Sequence, residues 1–207
     1  MLYGITLIKV RYLNKYMIFI YMEQLPNELK NNIKDYIIFK PKNKDELQKA
    51  VDLWYEDEEE ALNNYCHISY WDTSLIHDMK RLFLNKIDFN DNINKWNVSK
   101  VEDMDSMFEN CKNFNQPLNK WNVSKVEDMA YMFENCENFN QPLNNWDVSN
   151  VTDMNGMFWG AYSFNQSINS WEVLSENDIV DYRTHTYCMF KKAESFDKKN
   201  ALWYDFN

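Results

Sequence analysis

Glycine is scarce in this chain of 207 residues: Gly4, Gly156 and Gly160 are all it has. No Gly-rich phosphate-binding loop of either common type can be built from them. The four cysteines, Cys66, Cys111, Cys136 and Cys188, form no CxxC pair. A chain of this size also does not need disulfides as its main staple. Basic charge is short as well, with 22 Lys and Arg against 32 Asp and Glu, a net charge of −10. That balance argues against a nucleic-acid surface, which needs clustered cations. Long uncharged runs are missing. Residues 1–22 are apolar in character, but Lys9, Arg11 and Lys15 interrupt them before a run of about twenty apolar residues can form. The same stretch lacks the charge order and small-residue ending of a secretory signal, and no lipid-attachment cysteine lies near it. Met22 is the expected start of the protein, with 1–21 a non-native or disordered extension from upstream translation. Mass spectrometry of the native N-terminus checks this, and a peptide from 1–21 would contradict it.

Chemistry-bearing side chains are equally thin. His67, His77 and His185 share no metal-ligand spacing, and none stands at a zinc-type interval from a cysteine. No Ser-His-Asp or Cys-His set is indicated. The sequence therefore predicts no catalytic residue, no cofactor and no metal, and a protein that is not an enzyme.

What the chain has instead is apolar bulk, 45% of its residues, and aromatics, 16%. It is a folding sequence, not a disordered one. Asn, Lys, Ile, Tyr and Phe are plentiful, a bias that AT-rich genomes produce, so Asn richness alone carries no function. Residues 25–66 read as a helical lead-in. Leu25, Leu29, Ile33 and Tyr36 recur at helical spacing, and Leu47, Val51 and Trp54 share one face, as do Ala61 and Tyr65. Asn43 is placed to cap the helix that carries Leu47, with Glu46 three residues on.

From residue 70 onward a repeat takes over. Trp71, Trp96, Trp121, Trp146 and Trp171 are each 25 residues apart. Met79, Met104, Met129 and Met154 keep step, as do Phe83, Phe108, Phe133 and Phe158, and Phe89, Phe114, Phe139 and Phe164. Phe190, Phe196 and Trp203 restore the spacing after a shift. Trp171 to Trp203 is 32 residues, so the fifth repeat carries seven extra residues within 174–186. A fixed period of this length means stacked units that cannot bury their apolar faces alone. The Trp, Phe and Met columns are the expected core.

Within one unit, Val101, Met104, Phe108 and Cys111 fall at helical steps, and Ser99 with Glu102 fits a capping box that Ser124 and Glu127 repeat. The spacing predicts a short helix over about 100–111. Leu118, Trp121 and Val123 then read as a short strand, with strands stacked in parallel about 4.8 Å apart. Asp78, Asp103, Asp128 and Asp153 lack the glycine-rich loops of a calcium ladder and fall in the first helical turn, where they favour the dipole. Cys111 and Cys136 share a position with Ala161 and Ala193, a small buried slot. The columns Asn90, Asn115, Asn140, Asn165 and Asn94, Asn119, Asn144, Asn169 are expected to tie turns from unit to unit.

The pattern W-[ND]-V-S-x-V-x-D-M-x-x-M-F-x-x-[CA]-x-x-F-N-Q-x-[LI]-N over about 70–207 resembles the BspA-like leucine-rich-repeat family. It is most similar to the 25-residue repeat of mycoplasma-type surface proteins, which also occurs in large DNA viruses. The segment FKPKNKDELQKAVDLW resembles what precedes those repeats. The resemblance implies an α/β solenoid: a leucine-rich-repeat-like right-handed coil of short parallel strands and short helices, behind a helical N-terminal cap over 22–69. It also implies protein binding rather than a reaction. A surface location would need an export signal, so an intracellular setting is expected, the host cytoplasm if the chain is viral. The start LPNELKNNIKDYI, over 25–37, resembles an F-box opening. That would make the chain a ubiquitin-ligase substrate adaptor with a Skp1-type adaptor as partner; a surface adhesin is the other alternative.

Positions left over by the core face outward. Between the buried Trp and Val of each unit lie Asp72, Asn97, Asn122, Asp147 and Glu172. Just before the Trp lie Lys95, Lys120 and Asn145. These form the expected partner-binding ribbon on the strand face, with the fifth-repeat insertion as a second candidate.

Overall fold

The computed structural model describes residues 38–173 and 185–206. The 1–21 extension and the F-box-like start at 25–37 lie outside the described residues, as does most of the 174–186 insertion. Two α-helices open the described chain, α1 at Lys44–Glu56 and α2 at Glu58–Tyr65. Asn43 caps α1 by accepting from the Glu46 N–H, and Glu46 reaches back to the Lys42 N–H. Helix α1 buries Leu47, Ala50, Val51 and Trp54 against the first repeat. Its Gln48 Nε2 donates to the Leu82 carbonyl at 3.1 Å, and Trp54 Nε1 donates to Asp91.

Five repeat layers then stack on one another. The aromatic columns run through all of them. Phe83, Phe108, Phe133, Phe158 and Phe190 stack with centroids 5.3–5.7 Å apart, and Phe89, Phe114, Phe139, Phe164 and Phe196 at 5.7–6.0 Å. Each near-parallel pair adds about 0.5–1.5 kcal/mol to the gain from burial. Trp71, Trp96, Trp121, Trp146 and Trp171 are buried, and Trp203 is half-buried. Met104, Met129 and Met154 are fully buried. Each indole N–H from Trp96 on reaches a carbonyl of the preceding layer: Ile68, Ile93, Leu118, Leu143 and Ile168, at 2.8–3.2 Å.

The layers are not built as the sequence pattern suggested. Among the described residues the only α-helices are the two in the lead-in, and no β-strand forms. The expected α/β solenoid, a right-handed leucine-rich-repeat-like coil of parallel strands and short helices, is therefore corrected. The expected helix over 100–111 is a run of tight turns. Met107, Glu109 and Cys111 donate to the carbonyls three residues back, Met104, Ser106 and Phe108. The alternate N–H groups, Met104, Ser106, Phe108 and Asn110, leave the layer and donate to Asp128, Ala130, Met132 and Glu134 of the next.

Ser106 and Asn110 hold left-handed backbone, φ +54 and +62, which an α-helix cannot contain. The same two positions are left-handed in every layer, as Arg81 and Asn85, Tyr131 and Asn135, Gly156 and Gly160, Cys188 and Lys192. A chain of turns puts residues three and four apart on one side, as a helix does, so the burial pattern is shared and the backbone is not.

Related corrections follow. Ser99 and Ser124 cap no helix; their N–H groups donate to Asn97 and Asn122 Oδ1. The Glu102 N–H goes to His77 and that of Glu127 to Glu102. Asp78, Asp103, Asp128 and Asp153 each close an Asx turn by accepting from the N–H two residues on, at 2.8–2.9 Å. They are linked only by isolated parallel bridges, ending Asp153 to His185. The Trp-x-Val segments form no strand, and no backbone N–H of 96–98, 121–123 or 146–148 reaches another layer.

Candidate functional site

Of the two expected Asn columns, the one from Asn90 ties every layer to the next, and the one from Asn94 does so at some layers through Asn94, Asn119 and Asn169. Asn90, Asn115, Asn140 and Asn165 Oδ1 accept the N–H of Asn115, Asn140, Asn165 and Asp197 of the next layer, at 2.8–3.0 Å. Asn94 Nδ2 donates to Asn119 Oδ1, while Asn94 Oδ1 accepts the Lys120 N–H. Asn169 accepts from the Leu202 N–H. A third column, Asn85, Asn110 and Asn135, links carboxamide to carboxamide at 2.8–2.9 Å. It sits on the left-handed positions and was not read from the sequence. The signal was present: Asn and Gly160 share that column, and Asn with Gly is the pair that tolerates positive φ.

Cys111 and Cys136 are fully buried and donate from Sγ to the carbonyls of Phe83 and Phe108, each at 3.0 Å. Burial pushes the Cys111 thiol up to about 12 and the Cys136 thiol well above its ordinary value. Neither is a thiolate at neutral pH, so neither is a ready nucleophile. All four cysteines are free. His67 Nδ1 accepts the Ser69 N–H, and His77 and His185 lie 3.6 and 4.0 Å from Glu102 and Asp153. Among the described residues no set of three His, Cys, Asp or Glu side chains could hold a metal ion.

The outward ribbon divides. Asp72 belongs to the lead-in: its carboxylate pairs with Lys40 at 2.8 Å and accepts the Ser74 N–H. Partial burial opposes its charge, but Lys40 and Ser74 outweigh that and hold its pKa below the usual carboxylate value. Asn97, Asn122 and Asp147 are exposed, yet each Oδ1 accepts from the Ser two residues on. The Ser149 hydroxyl and N–H lower the pKa of Asp147. Asn145 donates to the Asn119 carbonyl at 2.6 Å. Glu172 is exposed.

Lys95 lies 4.6 Å from the Tyr70 ring centre. Lys120 is exposed, and among the described residues no carboxylate lies within ion-pair distance of its ammonium. Lys95, Asn97, Lys120 and Asn122 line a shallow depression of about 380 Å³, with Trp96 and Val98 as its apolar floor. Two cations and two carboxamides over an apolar floor can grip a polypeptide.

The fold and this site define a repeat protein whose layers are joined by side-chain amides and stacked aromatics. Residues 55–171 and 139–206 match the family described as Mycoplasma protein of unknown function, DUF285. The chain belongs to that family, a repeat family associated with mycoplasmas. No curated protein and no solved structure matches it. Among the described residues no helix is long and apolar enough to cross a membrane.

Proposed function

We propose that the chain is a non-enzymatic protein-interaction module that binds a protein partner through the exposed face carrying Lys95, Asn97, Lys120 and Asn122, continued by Asn145, Asp147 and Glu172. The observation that carries this reading is the depression over Trp96 and Val98, rimmed by two lysines. Nearly every other position of the repeat is used in packing or in tying layers. Extended faces of stacked repeats are where such proteins bind their partners. Kinship with the BspA-like proteins, whose repeat the Trp-Asn-Val-Ser motif resembles, belongs to the same proposal.

The test is a comparison of the native chain with the double variant Lys95→Glu/Lys120→Glu, both as affinity baits in the native cell. Both side chains are exposed, so the melting temperature should change little. The reading expects a partner held by the native chain and lost from the folded variant. Retention of every partner by the variant would sink it.

A further inference from the structure

Most backbone hydrogen bonds between layers run one way: four columns donate toward the end of the stack, against two that donate back, such as Glu102 to His77 and Asn113 to Ile87. The carbonyl of Asp103 and the N–H of Met104 belong to one peptide unit. That carbonyl accepts from Met79 of the layer before, and that N–H donates to Asp128 of the layer after. The units 105/106, 107/108 and 109/110 do the same. Four such columns cross all four interfaces between layers, with N–O distances of 2.7–3.0 Å. Within these four columns every carbonyl points toward the start of the stack and every N–H toward its end, and they outnumber the two columns that run back. Each unit carries a dipole of about 3.5 D, and head-to-tail alignment adds them as in a helix. The end of the stack is thus the positive pole, lined with N–H donors.

The two ends are finished differently. Helix α1 covers the first layer, and Gln48 takes the Leu82 carbonyl. At the last layer the equivalent donors are the N–H groups of Thr186, Cys188, Phe190 and Lys192. Among the described residues none of the four finds an acceptor. Cys188 and Lys192 keep the left-handed φ, +56 and +62, of their counterparts Gly156 and Gly160. The row is therefore aimed as in every layer beneath it.

The terminal segment covers the aromatic end and touches the donor row through Tyr204, whose hydroxyl donates to the Thr186 carbonyl at 3.3 Å. Phe206 lies against Phe190 at 5.7 Å and Phe196 at 6.2 Å, and Tyr204 meets the Phe190 ring edge-on at 5.0 Å. Between this segment and the donor row lies a cleft of about 460 Å³. Lys191 and Asp205 are the charged residues that line it, and the exposed Lys192 carries one of the four donors.

We propose that this end is a second binding surface, which takes an acidic segment of a partner protein as an added layer. Backbone carbonyls of that segment accept from Thr186, Cys188, Phe190 and Lys192, and its carboxylates meet Lys191, Lys192 and the positive pole of the columns. Strand addition to an open edge uses the same economy of main-chain bonds for grip and side chains for choice. A second copy of this chain fits poorly. Head-to-tail contact needs the first-layer carbonyls, of which Gln48 of α1 already takes that of Leu82, and tail-to-tail contact sets the donor rows against each other.

The experiment uses the full chain, labelled with ¹⁵N, and a synthetic peptide copying residues 127–138, EDMAYMFENCEN. That acidic segment already makes this contact inside the molecule. In the free chain the four amides should exchange with solvent far faster than those of Met154, Gly156, Phe158 and Gly160. Added peptide should shift the four amides saturably and slow their exchange. Lys191→Glu/Lys192→Glu, or a peptide with Gln and Asn in place of its acids, should weaken binding at least tenfold. Four amides already protected in the free chain would overturn the proposal. So would the absence of a saturable shift at millimolar peptide, shifts confined to other residues, or binding indifferent to both charge changes. Sedimentation showing a dimer that protects these amides without peptide would assign the end to self-association instead, and would equally overturn it.

Discussion

At the scale of single residues, the repeat is governed by which side chains tolerate left-handed backbone. Asn85, Asn110, Asn135 and Gly160 occupy one such position, and the Asn135 carboxamide lies where a Cβ on Gly160 would sit. Asn at 160 would need only that carboxamide to turn aside, and would extend the ladder by one rung. Gly160→Asn is therefore expected to stay within about 1 kcal/mol of the native stability. Gly160→Val forces a β-branched residue to φ near +68 and should cost about 1–3 kcal/mol. Denaturant unfolding of both variants checks this, and equal stability would contradict it.

Asp128 gives a pH-dependent case. Burial, and then the charges of Asp103, Asp105 and Asp153, raise its pKa above the ordinary carboxylate value. The folded chain holds this proton more tightly than the unfolded chain. Its stabilising contribution is present below the unfolded pKa and is lost as pH rises through the folded pKa. Asp128→Asn keeps an Oδ1 for the Ala130 N–H, so it should melt higher than the native chain at neutral pH. That advantage should shrink as pH falls through the carboxylate range. An advantage that is constant with pH would contradict the electrostatic cause.

At the scale of the element, one layer is 25 residues closed by its neighbours, not a helix or strand that stands by itself. Removing residues 126–150 joins Lys125 to Val151 and preserves every column. That deletion should leave a cooperatively folded, less stable chain. Removing 126–146 instead breaks the register of the Trp, Phe and Asn columns together and should abolish the cooperative melt. Circular dichroism through the aromatic band separates the two, and equal cooperativity would refute the layer as the unit.

The sequence was legible at this level wherever identity repeats. Trp121 in phase with Trp96 and Trp146 named the core, and Asn115 in phase with Asn90 and Asn140 named the ties. The backbone was not legible from Val101, Met104, Phe108 and Cys111. Serial tight turns and a helix bury the same positions, and Ser99 ahead of Glu102 reads as a capping box although its N–H closes an Asx turn on Asn97. Asn110 and Gly160 in one column carried the distinguishing information, because neither favours a helix interior. The outward face was half legible. Among the described residues Lys120 meets no carboxylate, whereas Asn97 and Asn122 also serve their own turns.

At the scale of the whole molecule, the layers form a stacked aromatic core that is capped by α1 at one end and bears a donor row at the other. Its proposed task is to present the Lys95 to Asn122 face to another protein. Site-specific photo-crosslinking in the native cell tests that most directly, with the reactive group placed at Asn122 or, as a control, at Lys112 in the turn segment. The account predicts one discrete crosslinked protein from Asn122 and none from Lys112. Crosslinks to the same protein from Lys112 alone, or indiscriminate products from both, would contradict it.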